Sequence, residues 1–269
     1  MNGVGWTGNE TQCLQELYST VNITVLSEYL PGRSECSIRK KAQKLRLFAK
    51  DYSPPTNMTV EFQKIFVGLM LGDGSLNFSH EKHGNARFRY GSKHRTVSIS
   101  YKNLFEKHGF SFGDNDPLYR RDKSNGGIMW DLTSHVNEFF TKQFSLWYGE
   151  KKVVPLDLSL SPLSVKHWYY GDGSLHWNGQ YLENIRLSTD SFTFDEVEFL
   201  REVLLRDVGV ERCRIEKKDG APTLIILKSQ NDIFFSYMGE CDFPCFRYKW
   251  ITRNRAHYTE SKNVCSCII

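Results

Sequence analysis

Residues 65–76 read Ile65-Phe66-Val67-Gly68-Leu69-Met70-Leu71-Gly72-Asp73-Gly74-Ser75-Leu76, and residues 165–175 read Val165-Lys166-His167-Trp168-Tyr169-Tyr170-Gly171-Asp172-Gly173-Ser174-Leu175. The pentapeptide Gly-Asp-Gly-Ser-Leu therefore occurs twice, its aspartates 99 positions apart, with 97 residues after the second. Two units of similar length, each opened by the same motif, describe a duplicated fold with a pseudo-twofold axis. Each pentapeptide ends an apolar run, which predicts a buried helix that stops at a glycine-rich turn.

Gly68 and Gly72 lie four apart and share a helix face, so a second helix can approach that face closely. The second helix holds Lys166 and His167 at comparable places, with only Gly171 small, so close approach is expected on the first side and questioned on the second. His167 is expected at the edge of the helix pair. If the two helices cross, Asp73 and Asp172 emerge side by side. Two adjacent carboxylates repel unless they share a cation, and Mg²⁺ or Mn²⁺ takes such oxygen ligands while leaving positions for water and phosphate. Metal-assisted phosphodiester hydrolysis is the reaction that fits. A single Gly-Asp-Gly is ordinarily only a turn; its duplication at domain-length spacing carries the reading.

Outward from the motifs, short strand-like runs at 87–90, 127–132, 184–187, 212–216 and 223–227 alternate with helical stretches such as 194–206, which makes a mixed α and β region. Ser53-Pro54-Pro55-Thr56-Asn57 within 51–59 reads as a linker. Ahead of it, residues 1–50 read as three helices. Thr7 and Glu10 form a capping-box pattern, Pro31-Gly32 breaks the chain, and Ser34 caps a third helix. This segment holds seven Lys and Arg against four acids, a layout that suits a helix-turn-helix reader. The alternative is a helical cap packed on the rest of the chain.

Composition bounds the rest. Of 269 residues, 40% are hydrophobic and 25% charged, and the net charge of +4 permits nucleic-acid binding without demanding it. No apolar stretch is long enough to span a bilayer, and the N-terminus lacks a signal-peptide pattern. An intracellular setting is expected, with cytoplasm, nucleus and organelle unresolved and no membrane partner. Seven scattered cysteines argue against a disulfide framework. Cys241 and Cys245 with Cys265 and Cys267 lack the usual zinc spacing, so plain thiols are the favoured reading.

At Phe66–Gly74 and Val165–Gly173 the chain resembles the two signature helices of LAGLIDADG homing endonucleases, most closely the single-chain, two-motif, intron-encoded type. The likeness covers about residues 60–255 and includes 147–155, 160–164, 188–197 and 244–249. It implies an α+β fold of duplicated αββαββα units, at 60–160 and 161–269, whose saddle-shaped antiparallel sheets straddle the DNA major groove. It also implies a monomer that recognises a long asymmetric double-stranded target and cuts both strands to leave short 3′ overhangs. Asp73 and Asp172, with Gly72 and Gly171, would hold the divalent metal; Lys152 and Lys249 fall where the family keeps a basic residue beside each centre and would assist catalysis with the two aspartates. The stretches at Gly5–Thr7, Leu30–Ser34 and Ile38–Ala42 resemble Myb/SANT-like domains, which makes residues 1–50 a small three-helix DNA-binding module.

Candidate DNA contacts are Arg39, Lys40 and Lys44 on the third helix, and Arg87, Arg89, Lys93, Arg120, Arg121, Arg186, Ser188, Arg214 and Lys228 in the sheet region. Arg87 with Arg89, and Arg186 with Ser188, sit two apart and so share a strand face. The alternative function is an RNA maturase or a non-cleaving DNA-binding protein on the same scaffold; the paired aspartates favour cleavage. An intein reading is weak, because no His-Asn precedes the terminus.

Overall fold

Thr59 starts the first motif helix: its hydroxyl accepts a hydrogen bond from the Phe62 amide at 3.1 Å, and Glu61 sits favourably in the positive first turn. The helix, α4, runs Val60–Leu71 and buries seven of its residues, from Phe62 to Leu71. Its counterpart α7, Pro162–Asp172, begins with a reciprocal Ser161–Ser164 capping box and a proline in its first turn. In this computed structural model the described residues are 5–18, 21, 23–45, 47, 58–78, 84–112, 118–121, 128–218 and 220–267.

The two units repeat one element order. After α4 come β1 (Ser75–Phe78), β2 (Ala86–Ser92), α5 (Arg95–Lys107), β3 (Leu118–Arg121), β4 (Ile128–Thr133) and α6 (Glu138–Trp147). After α7 come β5 (Gly173–Asn178), β6 (Tyr181–Ser188), α8 (Phe194–Val208), β7 (Cys213–Lys218), β8 (Ala221–Leu227) and α9 (Asn231–Met238). Each unit is αββαββα, and each sheet is antiparallel in the same order, β1-β2-β4-β3 and β5-β6-β8-β7. The register matches too: Ser75 pairs with Arg89 and Ser174 with Arg186. The duplication expected from the pentapeptides is present in the fold. The short strands after each motif, β1 and β5, were not legible as strands, since Ser-Leu following Gly-Asp-Gly reads as turn.

Burial along β2 alternates. Ala86, Phe88, Tyr90 and Ser92 face the helices, whereas Arg87, Arg89 and Gly91 face the other side. One continuous core joins the two units through α4 and α7. The first unit fills it with stacked phenylalanines, among them Phe88 on Phe105 at 4.6 Å and Phe110 on Phe140 at 4.6 Å. The second relies more on aliphatic packing of α8 and β8 around Val203, Leu204, Leu224 and Ile226.

A separate small cluster holds α1 (Gly8–Leu17), α2 (Ile23–Tyr29) and α3 (Glu35–Lys44) around Leu14, Leu26, Leu30, Ile38 and Ala42. The Thr7–Glu10 capping box forms as read, and Glu10 also receives Arg33 at 2.8 Å. The linker prolines Pro54 and Pro55 lie outside the described residues. Beyond α9 a 3-10 helix, Pro244–Trp250, and α10, Arg255–Cys267, complete the chain.

Candidate metal centre and nucleic-acid interface

The motif helices meet where Gly68 has no side chain. A Cβ there would fall 2.4 Å from the Ser164 carbonyl oxygen and 2.8 Å from the His167 Cβ, so glycine alone permits this crossing. The small partner on α7 is Ser164, one turn before His167, and close approach therefore occurs on both sides. Lys166 and His167, being large, hid this in the sequence, where Gly171 stands as the small residue and Ser164 comes before them. His167 is likewise not at an edge. It is buried in the interface, its Nδ1 2.7 Å from the Tyr101 hydroxyl, and burial holds its imidazole down to about 4. It packs as a neutral ring and is remote from metal-ligand duty.

The crossing sets the aspartates at one end of the helix pair. Asp73 lies in the turn just after α4, and Asp172 is the last residue of α7. A Cβ on Gly171 would come 3.0 Å from Asp73 Oδ2, so the first aspartate leans over the glycine that precedes the second. Asp172 is half-buried; Asp73 keeps an exposed surface although protein surrounds it on most sides. Loss of hydration pushes the Asp172 carboxyl up to about 7, and the neighbouring Asp73 charge adds to the rise. Asp73 is also raised by burial, against the pull of Lys249 and Lys152.

Both predicted lysines arrive here, each on backbone carbonyls of its own motif. Lys152 Nζ donates to Gly72 O at 3.1 Å and Gly74 O at 2.9 Å, bracketing Asp73. Lys249 Nζ donates to Tyr170 O at 2.6 Å and Tyr169 O at 3.2 Å in the last turn of α7. A cation at a helix C-terminus meets the negative end of the helix dipole. Burial nonetheless lowers both ammonium groups to about 8, against the attraction of the two aspartates.

The two neighbouring carboxylates offer hard oxygen donors of the kind a divalent cation takes. Among the described residues no cluster of three or more His, Cys, Asp or Glu could hold a metal. A cation on this pair would therefore draw its remaining ligands from carbonyls, water or phosphate oxygens. Of the two glycines read as further ligands, Gly72 already accepts Lys152 through its carbonyl, which leaves its second lone pair.

The remaining candidates divide by position. Arg87 and the exposed Arg89 share the outer face of β2, with Arg87 Nε 3.4 Å from Asn77 Oδ1. Lys93 is exposed beyond β2. Arg120 and Arg121 pair with Met129 and Ile128 on β3; their side chains lie outside the described residues. In the second sheet Arg214 reaches Glu216 at 2.5 Å and Arg186 reaches it at 3.9 Å, which ties two predicted contacts to an acid the sequence reading passed over. Ser188 is exposed at the end of β6. Lys228 opens a short 3-10 helix after β8, its Nζ 5.7 Å from the centre of the Tyr181 ring. Beside Asp73 a hollow of about 330 Å³ is lined by Ser75, Arg89, Tyr90, Gly91, Met129 and Asp131. Asp131 and Glu216 were missed because single acids inside strands carry no local signal. On α3, Arg39, Lys40 and Lys44 are all exposed, with Arg39 3.3 Å from Glu35. No helix among the described residues is long and apolar enough to cross a membrane.

The chain is 29% identical over 231 residues to the uncharacterized protein MJ1098 of Methanocaldococcus jannaschii, covering 82% of this chain and 87% of that protein. Its fold is similar to the homing endonuclease I-WcaI bound to its DNA recognition sequence, with a TM-score of 0.65 at 19% identity, over 84% of this chain and 97% of that one. The homing endonuclease I-DmoI in complex with DNA and Mn superposes less well, at a TM-score of 0.43 and 14% identity over 68% of this chain and 98% of the other. The model of the LAGLIDADG DNA endonuclease family matches residues 63–234, and the chain belongs to that family.

Proposed function

We propose that the protein is a site-specific double-strand DNA endonuclease that uses Mg²⁺ or Mn²⁺ and works as a single chain on a long asymmetric target. The observation that carries this reading is the pairing of Asp73 and Asp172, crowded together at the end of crossing helices with one lysine for each. A purely structural site would not keep two raised carboxylates side by side, because their repulsion and lost hydration oppose folding.

When bound, a divalent cation would supply charge stabilisation and a more acidic water for attack on the phosphodiester. Asp73 and Asp172 would hold that cation, with the Gly72 and Gly171 carbonyls as further oxygen donors. Lys152 and Lys249 present protonated amines toward the scissile phosphates and oppose the negative charge that develops there. Arg87 with Arg89 on β2, and Arg186 with Ser188 on β6, lie on outward strand faces and read base edges, with Arg214 on β7 as a further contact; Arg120 and Arg121 on β3 are added from the sequence alone. Lys93 and Lys228 hold phosphates.

The α1–α3 unit adds a second, Myb/SANT-like contact. Lys40, Lys41 and Lys44 line a hollow of about 330 Å³ with Trp6, Ser34, Cys36 and Ser37, a surface that matches a phosphate backbone. A tethered second contact raises affinity without changing the cut site.

The direct test is to expose a plasmid library of randomised targets to the protein with Mg²⁺ and sequence the ends produced. Paired breaks with short 3′ overhangs that vanish in Asp73→Asn and Asp172→Asn are expected. Tight, selective DNA or RNA binding with no break in any divalent metal would replace this reading with a maturase or a non-cleaving binder.

A further inference from the structure

Lys166 departs most from an apolar helix interior. It sits mid-helix in α7 with its side chain only 11% exposed, and its Nζ lies 3.1 and 3.3 Å from the two carboxylate oxygens of Asp242. The Tyr170 hydroxyl, one turn further along α7, donates to the same carboxylate at 3.3 Å and accepts the Asp242 amide at 2.8 Å. These contacts clamp the chain just after α9 onto the face of α7. Seven residues later the same strip of chain delivers Lys249.

Between the clamp and Lys249 the strip stays on α7. Phe246 stacks on Tyr170 at 5.2 Å, Trp250 meets the Tyr169 ring at 5.2 Å, and the Tyr169 hydroxyl donates to the Lys249 carbonyl oxygen at 2.9 Å. Lys249 Nζ then returns to the carbonyls of Tyr169 and Tyr170. Among the described residues the first unit shows no ion pair at the matching place. Ninety-nine positions before Lys166, Tyr169 and Tyr170 stand Val67, Met70 and Leu71, and Lys152 is held instead by the backbone link from Val153 N to Trp147 O at 2.8 Å and by Glu196 on the Val154 amide at 3.0 Å.

We infer that the Lys166–Asp242 pair, seconded by Tyr170, is a positioning latch for Lys249, so that it governs one of the two strand cuts and leaves the other to Lys152. This rests on the nuclease reading above. The ion pair is anchored on one side only: Asp242 is 57% exposed while Lys166 is buried. Removing the acid leaves a buried charge without its partner, and the strip before Lys249 loses its hold. Asp242→Asn leaves the contacts of Lys249 itself in place, because Lys166 and Asp242 do not bond it and Tyr170 meets it through a backbone carbonyl.

The test uses full-length protein on supercoiled plasmid carrying a cleavable target. In Asp242→Asn the second-strand rate is expected to fall about tenfold or more against the first, so that nicked circles accumulate where wild type gives linear product. DNA affinity should stay unchanged, and Asp242→Glu should restore the ratio. Hydrogen exchange supplies a readout independent of cutting: amides of 245–250 should lose protection in Asp242→Asn while those of 149–154 do not. Equal slowing of both strands, or unchanged nicking with unchanged exchange, overturns the latch. If wild-type protein cuts no DNA, the nuclease reading fails and exchange alone decides whether the latch holds the strip.

Discussion

The two Gly-Asp-Gly-Ser-Leu copies are identical in sequence and differ in structure. The first follows a helix that ends at Leu71, so Asp73 stands in a turn. The second continues the helix through Asp172. The lysine perches shift with it: Lys152 grips carbonyls on either side of its aspartate, whereas Lys249 grips carbonyls two and three residues ahead of its own. The helices that carry them are also unlike, α4 apolar from Ile65 to Leu71 and α7 lined with Lys166, His167, Tyr169 and Tyr170 over the matching stretch. A motif fixes which atoms are available; the body of its helix decides how they are held. The two aspartate–lysine pairs are thus chemically alike and mechanically distinct.

The largest expected effect tests the likeness. Asp73→Asn and Asp172→Asn should each cut double-strand cleavage by on the order of 10³-fold or more, since either change removes a charge from the shared site. Measured by single-turnover kinetics, a loss confined to one variant would show that the carboxylates do not share a cation. Both variants should leave DNA affinity near wild type in Ca²⁺.

Next comes the crossing. Gly68→Val places atoms where the Ser164 carbonyl lies 2.4 Å away, and Gly173→Ala drives a Cβ into the Tyr169 ring at 1.8 Å, whereas Gly72→Ala meets nothing nearer than 3.6 Å. Overpacking of backbone should cost about 3 kcal/mol or more for the first two, and Gly72→Ala should cost far less. Denaturant midpoints that rank the three differently would mean the helices can part at the crossing.

Ionisation separates the halves from the rest of the fold. Asp172 is raised to about 7 in the folded chain, so it binds more protons than in the unfolded chain between about pH 4 and pH 7, and metal-free stability falls as pH rises across that window. The two lysines, lowered to about 8, bind fewer protons folded than unfolded above that value, and stability recovers as pH climbs toward the ordinary lysine range. A minimum in metal-free Tm between about 7 and 8 is expected. Excess Mg²⁺ should fill it, and Asp172→Asn should make its acidic side shallower, leaving the part that the raised Asp73 carboxyl contributes. A flat profile would show that the two charges of each sign already neutralise one another without metal.

How much of this could be read beforehand follows the range of the interactions. The capping box at Thr7 acts within one turn and announces its helix in the sequence; the caps at Thr59 and Ser161 act over the same short range. The repeated pentapeptide announces the duplication, and with it the aspartate pair. Lys152 and Lys249 were reachable only through likeness to a family, since each meets its motif about 80 residues away along the chain. Ser164 as the small partner of Gly68, the burial of His167, and Glu216 between Arg186 and Arg214 depend on which faces meet in space. Sequence spacing carries no term for that.

The smallest effect contrasts the paired units with the helices ahead of them. Lys40 and Lys44 are exposed on α3 and line its hollow, while Arg39 is partly occupied by Glu35. If these lysines hold phosphates, Lys40→Ala with Lys44→Ala should lower the slope of log K against log salt by roughly 0.9 for each charge removed. Affinity would weaken by similar amounts on specific and unrelated DNA, because phosphate contacts carry no base information. Arg39→Ala should do less than either, since part of its charge is already spent on Glu35. Cleavage of bound target should be unchanged, for the lysines that face the aspartates lie in the other core. A salt slope that stays put while thermal stability drops would assign α3 to packing and leave recognition entirely to the two sheets.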